Sequence, residues 1–148
     1  MEEEGELSDF AVFYAYPDEM IDHDNIDHYR ALAGRRLMIR RCADCGYWIY
    51  PHRPVCPACL SWDVPFAEVN GRGRIFMETR LHQLRDPKAQ VYEPLVAAAV
   101  ELEERPGLRY LARIVNCPLE RIELDMPVTL TWIEEDGITW PAFEPAKH

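Results

Sequence analysis

A chain of 148 residues, 48% of them hydrophobic, has room for one core of ordinary size and a small appendage, which excludes two large domains. Its net charge of −10 disfavours a long nucleic acid as partner. No apolar run approaches the roughly 20 residues of a membrane helix, and the opening MEEEGELSDF lacks the basic-then-apolar pattern of a signal peptide. A soluble, cytoplasmic protein is therefore expected, and in that reducing compartment cysteines ligate metal or stay free rather than pair.

The charge is unevenly spread. Residues 1–29 hold ten acidic side chains and no Lys or Arg, residues 30–88 hold eleven basic and five acidic ones, and the remainder reverses that ratio. A positive middle between negative flanks suits a phosphate-bearing small ligand or a complementary protein face.

In chain order, residues 1–25 read as an acidic, flexible segment, with four Glu in the first six positions. Asp27 is expected to cap a short helix through HYRALAG that ends at Gly34, with Tyr29, Leu32 and Ala33 on one face. The Asp-His pairs at 22–23 and 27–28 are five residues apart and do not share a helix face, so they read as solvated, capping residues and not as a second metal site.

RRCADCGYWIYPHRPVCPACLSW follows. Cys42 and Cys45, then Cys56 and Cys59, form two Cys-x-x-Cys turns, each aiming two sulfurs at one point; together they close a tetrahedron of thiolates around a soft divalent ion. One zinc per chain is expected, and spacing alone also admits iron. Four protein ligands leave no position for water or substrate, so the metal's role is structural: it holds an arm too small to fold unaided. Tyr47, Trp48, Ile49, Tyr50 and Trp62 give that arm an aromatic flange, directed either at the body of the protein or at a partner.

Beyond the arm the pattern has period two. EVNGRGRIFMETRLHQ predicts a strand, a turn over Asn70–Gly73 and a longer strand from Arg74 to Gln83. LRDPKAQVYEP reads as a polar loop. LVAAAVELEE and LRYLARIVNC are strands joined by a turn at Glu104–Gly107, PLERIELDMP is a connector with one helical turn, and VTLTWIEEDGITWPAFEPA is a hairpin turning at Asp136-Gly137. The expected fold is mainly β: a short helix and zinc ribbon over residues 26–65, then a five-stranded OB-type barrel over 66–148.

Catalytic groups are scarce. No nucleophile elbow, phosphate loop or His-Glu-x-x-His occurs. Cys117 has no histidine near it in sequence and reads as a structural thiol, and His52 and His82 are lone histidines. Arg72, Arg74 and Arg80 surround the first barrel turn, with Arg35, Arg36, Arg40 and Arg41 leading into the arm. These read either as surface charges paired with carboxylates or as a phosphate-facing patch.

The order of parts, C-x-x-C-G…P-x-R-P-x-C-P-x-C followed by G-R-G and the barrel strands, resembles the acyl-CoA-associated family called domain of unknown function thirty-five, over about residues 26–146. Leu60 departs from the Gly common after the last cysteine. The resemblance implies a rubredoxin-like ribbon before an OB barrel, in a non-catalytic accessory subunit bound to a thiolase-family catalytic subunit as a two-plus-two heterotetramer. It further implies a steroid side-chain retro-aldolase acting on acyl-CoA, with an aromatic acyl-CoA thiolase of the anaerobic toluene type as the alternative. On this reading Tyr29, Leu32, Tyr47, Trp48, Tyr50 and Trp62 dock on the partner, and Arg72, Arg74 and Arg80 contact CoA phosphates. A single-stranded nucleic-acid module is the competing class, since ribbons and OB folds both serve single strands.

Overall fold

The computed structural model describes residues 6–82 and 94–147. The expected polar loop at 84–94 falls almost wholly outside these, as do residues 1–5 and the expected strand end at Gln83.

Two compact units emerge. The first comprises residues up to Asn70 together with Trp132–Pro141; the second comprises Gly71–Thr131 and Ala142 onward. In the first, the acidic segment forms a helix that its sequence did not suggest: α1, Asp9–Ala15, with the Ser8 hydroxyl accepting from the Ala11 N–H at 3.2 Å and Asp9 in the first turn. Val12 is its one buried side chain. Just beyond, Tyr16 is buried and donates its hydroxyl to the Thr139 carbonyl at 2.6 Å.

Helix α2 spans Ile26–Ala33 and departs from expectation in two details. Asn25, not Asp27, stands at the cap, because Asp22 folds the chain beforehand: its carboxylate accepts from the N–H groups of Asp24 and Asn25, while Asn25 Oδ1 accepts from Asp22 N–H. Asp27 instead meets Arg30. The buried face is His28 and Leu32, one turn apart, and Tyr29 and Ala33 are half-buried. Gly34 ends the helix, and Arg35 takes the left-handed conformation, φ 60°.

A three-stranded sheet in the order β2-β1-β3 follows, from β1 (Met38–Arg41), β2 (Trp48–Ile49) and β3 (Phe66–Glu68). The strand expected just before the Asn70–Gly73 turn thus belongs with the ribbon: Met38 pairs with Glu68, and Val69 donates to Leu37.

The barrel closes in the order β4-β5-β6-β8-β7, as an OB-type barrel requires. Its strands are β4 (Arg72–Leu81), β5 (Leu95–Leu102), β6 (Arg109–Ile114), β7 (Pro127–Glu135) and β8 (Ile138–Pro145), with a 3-10 turn at Leu119–Arg121 in the connector. In β5 burial alternates, so that Val96, Ala98, Val100 and Leu102 enter the core beside Ile75, Tyr110, Val128 and Phe143. A bulge between Ile75 and Met77 turns both Phe76 and Met77 outward. Closure is by a parallel pairing, Arg113 with Ala142 and Ile114 with Phe143.

The G-R-G at the start of β4 has a steric cause. Gly71 has φ 83°, and a Cβ there would lie 3.0 Å from Leu130 Cβ; at Gly73 a Cβ would lie 2.6 Å from the Glu101 carbonyl oxygen. The Asp136-Gly137 turn has φ 53° and 79°, the left-handed pair that a two-residue hairpin needs.

Candidate metal centre and surrounding surfaces

Each Cys-x-x-Cys turn is a knuckle closed by the same two features. Gly46 N–H donates to the Cys42 carbonyl at 2.9 Å and Leu60 N–H to the Cys56 carbonyl at 2.8 Å, and both residues adopt positive φ. Backbone amides also turn toward sulfur, Cys45 N–H to Cys42 Sγ at 3.4 Å and Ala58 N–H to Cys56 Sγ at 3.3 Å.

The four Sγ atoms lie within 4.8 Å of one another, with Cys42–Cys59 at 3.5 Å and Cys45–Cys56 at 3.6 Å. A zinc tetrathiolate with Zn–S near 2.3 Å requires S···S distances of about 3.8 Å, so the donor set fits one such ion. The four thiols share their protons: burial raises the Cys42 thiol, but the N–H groups of Cys45 and Asp44 and the neighbouring thiols outweigh it and lower the group toward the thiolate a metal needs. Hydrogen bonds among the sulfurs instead raise Cys59, and Cys45 is raised as well. Cys42 and Cys56 are buried, and with Ile49, Val64 and Tyr47 they make up the small apolar centre of the ribbon. With four sulfurs supplied by the protein, the centre is closed to substrate.

The two arginines at the ribbon's entrance brace it. Arg40 donates to the carbonyls of Val64 and Asp24 at 2.9 and 3.0 Å and stacks on Phe66. Arg41 donates to the Gly46 carbonyl at 3.1 Å and lies over Trp48. Arg35 pairs with Glu134 and Arg36 with Glu68.

The aromatic flange divides. Trp48 is a core side chain, as is Leu32 with 0% of its surface exposed, so the docking expectation is corrected for these two: neither presents a surface. Tyr29, Tyr47 and Tyr50 are half-buried, and Trp62 is 75% exposed beside exposed Leu60. Burial raises the phenol of Tyr29, aided by Glu19, which accepts its hydroxyl at 3.0 Å; burial likewise raises Tyr50. Sequence reasoning missed a second exposed aromatic pair, Phe10 and Tyr14 on α1 (74% and 82% exposed). Three aromatic residues within DFAVFYA were the available signal.

Of the arginines near the first barrel turn, Arg72 and Arg74 line a cavity of about 330 Å³ with Phe76, Arg105 and Glu101. Arg72 pairs with Glu103 at 3.1 Å and Arg74 donates to the Asp125 carbonyl at 2.9 Å. Arg80 is not among that lining; its guanidinium is held by Glu78 and by the Leu119 carbonyl. Cys117 is half-buried, and burial chiefly raises its thiol, the opposite of nucleophile activation. Among the described residues no helix is long and apolar enough to cross a membrane.

Residues 30–64 match the family profile described as ChsH2, rubredoxin-like zinc ribbon domain, and residues 67–132 match ChsH2, C-terminal OB-fold domain. The chain is 37% identical to a probable enoyl-CoA hydratase alpha subunit of Thermomonospora curvata, over 88% of this chain and 40% of that protein. It is 30% identical to a 3-oxo-4,17-pregnadiene-20-carboxyl-CoA hydratase alpha subunit of Mycobacterium tuberculosis, over 87% and 41%. The chain therefore spans about two fifths of the length of these relatives. A DUF35 domain-containing scaffold protein of Methanocaldococcus jannaschii is 32% identical over 84% of this chain and 86% of its own length. Among solved structures, one described as an Ltp2-ChsH2(DUF35) aldolase superposes with a TM-score of 0.76 and 36% identity, covering 87% of this chain and 99% of that one.

Proposed function

The chain belongs to the DUF35 family, whose members join a rubredoxin-like zinc ribbon to an OB-fold domain, and from that membership we propose that it is the non-catalytic subunit of a thiolase-fold enzyme acting on acyl-CoA. The observation that carries this reading is the 36% identity to a chain of an Ltp2-ChsH2 aldolase over 99% of that chain's length. The likeness to a pregnadiene-carboxyl-CoA hydratase subunit favours a steroid acyl-CoA as substrate, and the likeness to an Ltp2-ChsH2 aldolase favours retro-aldol cleavage of its side chain as the reaction. A closed tetrathiolate centre supports a role in assembly, since it offers no site for chemistry.

In this reading the catalytic groups belong to the partner, and the assembly is a two-plus-two heterotetramer. The partner rests on the exposed Trp62, Phe10 and Tyr14 and on the accessible edges of the half-buried Tyr29, Tyr47 and Tyr50, because aromatic side chains are the usual anchors of protein interfaces. Arg72 and Arg74 face the CoA phosphates from their cavity.

Affinity purification of the native protein from its own cells, with mass spectrometry and metal analysis of the same sample, tests the reading. A thiolase-fold subunit in equal amount, about one zinc per chain, and acyl-CoA cleavage that appears only when both subunits are combined are expected. A lone zinc-loaded protein, or one carrying nucleic acid, would overturn it.

A further inference from the structure

Asp22, Asp24, Asn25, His28 and Tyr29, with the segment Tyr50–His52, line a cavity of about 270 Å³; the rims of Tyr29 and Tyr50 belong to the docking surface proposed above, but the cavity between them has no task in that reading or at the metal centre. Much of its wall is aromatic. The rings of His28 and His52 lie 4.7 Å apart, Tyr29 meets His28 edge-on at 5.0 Å, and Tyr50 meets His52 edge-on at 5.2 Å. The rest of the lining is Asp22, Asp24, Asn25 and Pro51, so it carries two carboxylates and no Lys or Arg.

Both ring nitrogens of His52 are buried, and no protein group among the described residues bonds either of them. A buried polar atom without a partner is destabilising, so the site favours a ligand that carries hydrogen-bonding groups. Burial, and then Arg40, keep this imidazole neutral near physiological pH, which leaves one nitrogen as a donor and the other as an acceptor.

We propose that this cavity receives an alkylammonium or alkylguanidinium group, either of a free amine or of a Lys or Arg side chain on another protein. The two carboxylates outweigh the one neighbouring guanidinium, Arg40, 4.0 Å from Asp24, and so disfavour phosphate and carboxylate ligands, while the unsatisfied imidazole disfavours a purely apolar one. Aromatic walls with acidic neighbours are the chemistry that stabilises an organic cation. The inference is about the free chain and stands whether or not a thiolase-fold partner also meets Tyr29 and Tyr50.

The test uses the zinc-loaded full chain with ¹⁵N-labelled histidine, following the ring resonances of His28 and His52 near neutral pH. Methylguanidinium chloride and n-butylammonium chloride are titrated in parallel with sodium chloride and sodium butyrate. A saturable shift with the two organic cations alone is expected. In the Asp22→Asn/Asp24→Asn variant the midpoint moves up about tenfold. The asparagine at 22 retains the Oδ1 that accepts from Asp24 and Asn25, so folding is preserved, and an unchanged zinc content verifies this. N-acetylarginine amide distinguishes the sources: binding at least as tight as methylguanidinium assigns the cavity to a protein side chain, and rejection of the bulkier probe assigns it to a free amine. Linear shifts, equal shifts with sodium chloride or butyrate, or a midpoint unchanged in the variant would overturn the proposal.

Discussion

Gly46 and Leu60 occupy the same position in the two knuckles and share one backbone conformation, φ 80° and φ 66°. Glycine adopts it without strain; leucine does so at a penalty of about 1–2 kcal/mol. Leu60 is 71% exposed, so no core packing offsets that strain. Leu60→Gly is expected to leave the metal centre intact and raise the ribbon's stability by about 1 kcal/mol, read as greater resistance to zinc extraction by a chelator. Gly46→Ala should do the reverse although a Cβ there meets nothing closer than 3.7 Å, because the strain lies in the backbone. Equal chelator sensitivity of all three proteins would contradict this.

Cys42→Ser or Cys59→Ser removes one corner of the tetrahedron. Ribbon folding is coupled to metal, so the variant should lose its zinc and the ordered ribbon while the barrel strands keep their amide protection. Hydrogen exchange resolved by strand checks the result. Loss of binding to the catalytic partner is expected at the same time, whereas normal assembly would remove the ribbon from the docking surface.

His28 and His52 make the first unit sensitive to acid. Burial lowers His28 to about 3, with His52 contributing; burial and then Arg40 lower His52 to about 4. Both folded values lie below the unfolded value near 6.5. The unfolded chain therefore binds more protons below that pH. The stabilisation is fully present above pH 6.5 and is lost as the pH falls through the window down to 4 and then 3. Each histidine contributes a slope of up to about 1.4 kcal/mol per pH unit there. Urea midpoints measured across this range should fall with acidity, and His52→Phe should flatten part of the slope. A pH-independent midpoint for the wild type would contradict the account.

Gly73→Ala sets a Cβ 2.6 Å from the Glu101 carbonyl oxygen and 2.7 Å from Val100 Cγ1. Backbone cannot move aside as a flexible side chain would, so a loss of about 3 kcal/mol in barrel stability is expected, measured by urea unfolding. A loss below about 0.5 kcal/mol, the range of ordinary surface substitutions, would mean that the strand separates there at little expense.

Much of this arrangement could be read in the residues, for identifiable reasons. Sulfur spacing is a geometric constraint, so Cys42, Cys45, Cys56 and Cys59 were legible as one site. The alternation in β5 and the Asp136-Gly137 turn carry their structure locally. Helix α1 escaped because in seven residues only Val12 is buried, too few for a helical period to register, although Ser8 and Asp9 formed a recognisable start. Trp48 and Trp62 could not be told apart, since a knuckle has no repeating face and tertiary packing alone sends one inward and leaves the other out. The His28–His52 cavity was invisible for the same reason: it joins residues 24 positions apart, and His28 looks no different in sequence from His23, whose side chain is 94% exposed.

The parallel pairing of Arg113 and Ile114 with Ala142 and Phe143 also bears on the order of assembly during synthesis. All three strands of the ribbon sheet and all four thiols lie between Met38 and Glu68, whereas the ring of barrel strands stays open until β8, the last of them, is made. As translation runs from the N-terminus, the nascent chain displays a complete set of zinc ligands while every barrel strand is still unsynthesised. Metal capture can therefore precede barrel closure, and zinc starvation would act on the earliest part of the molecule to form.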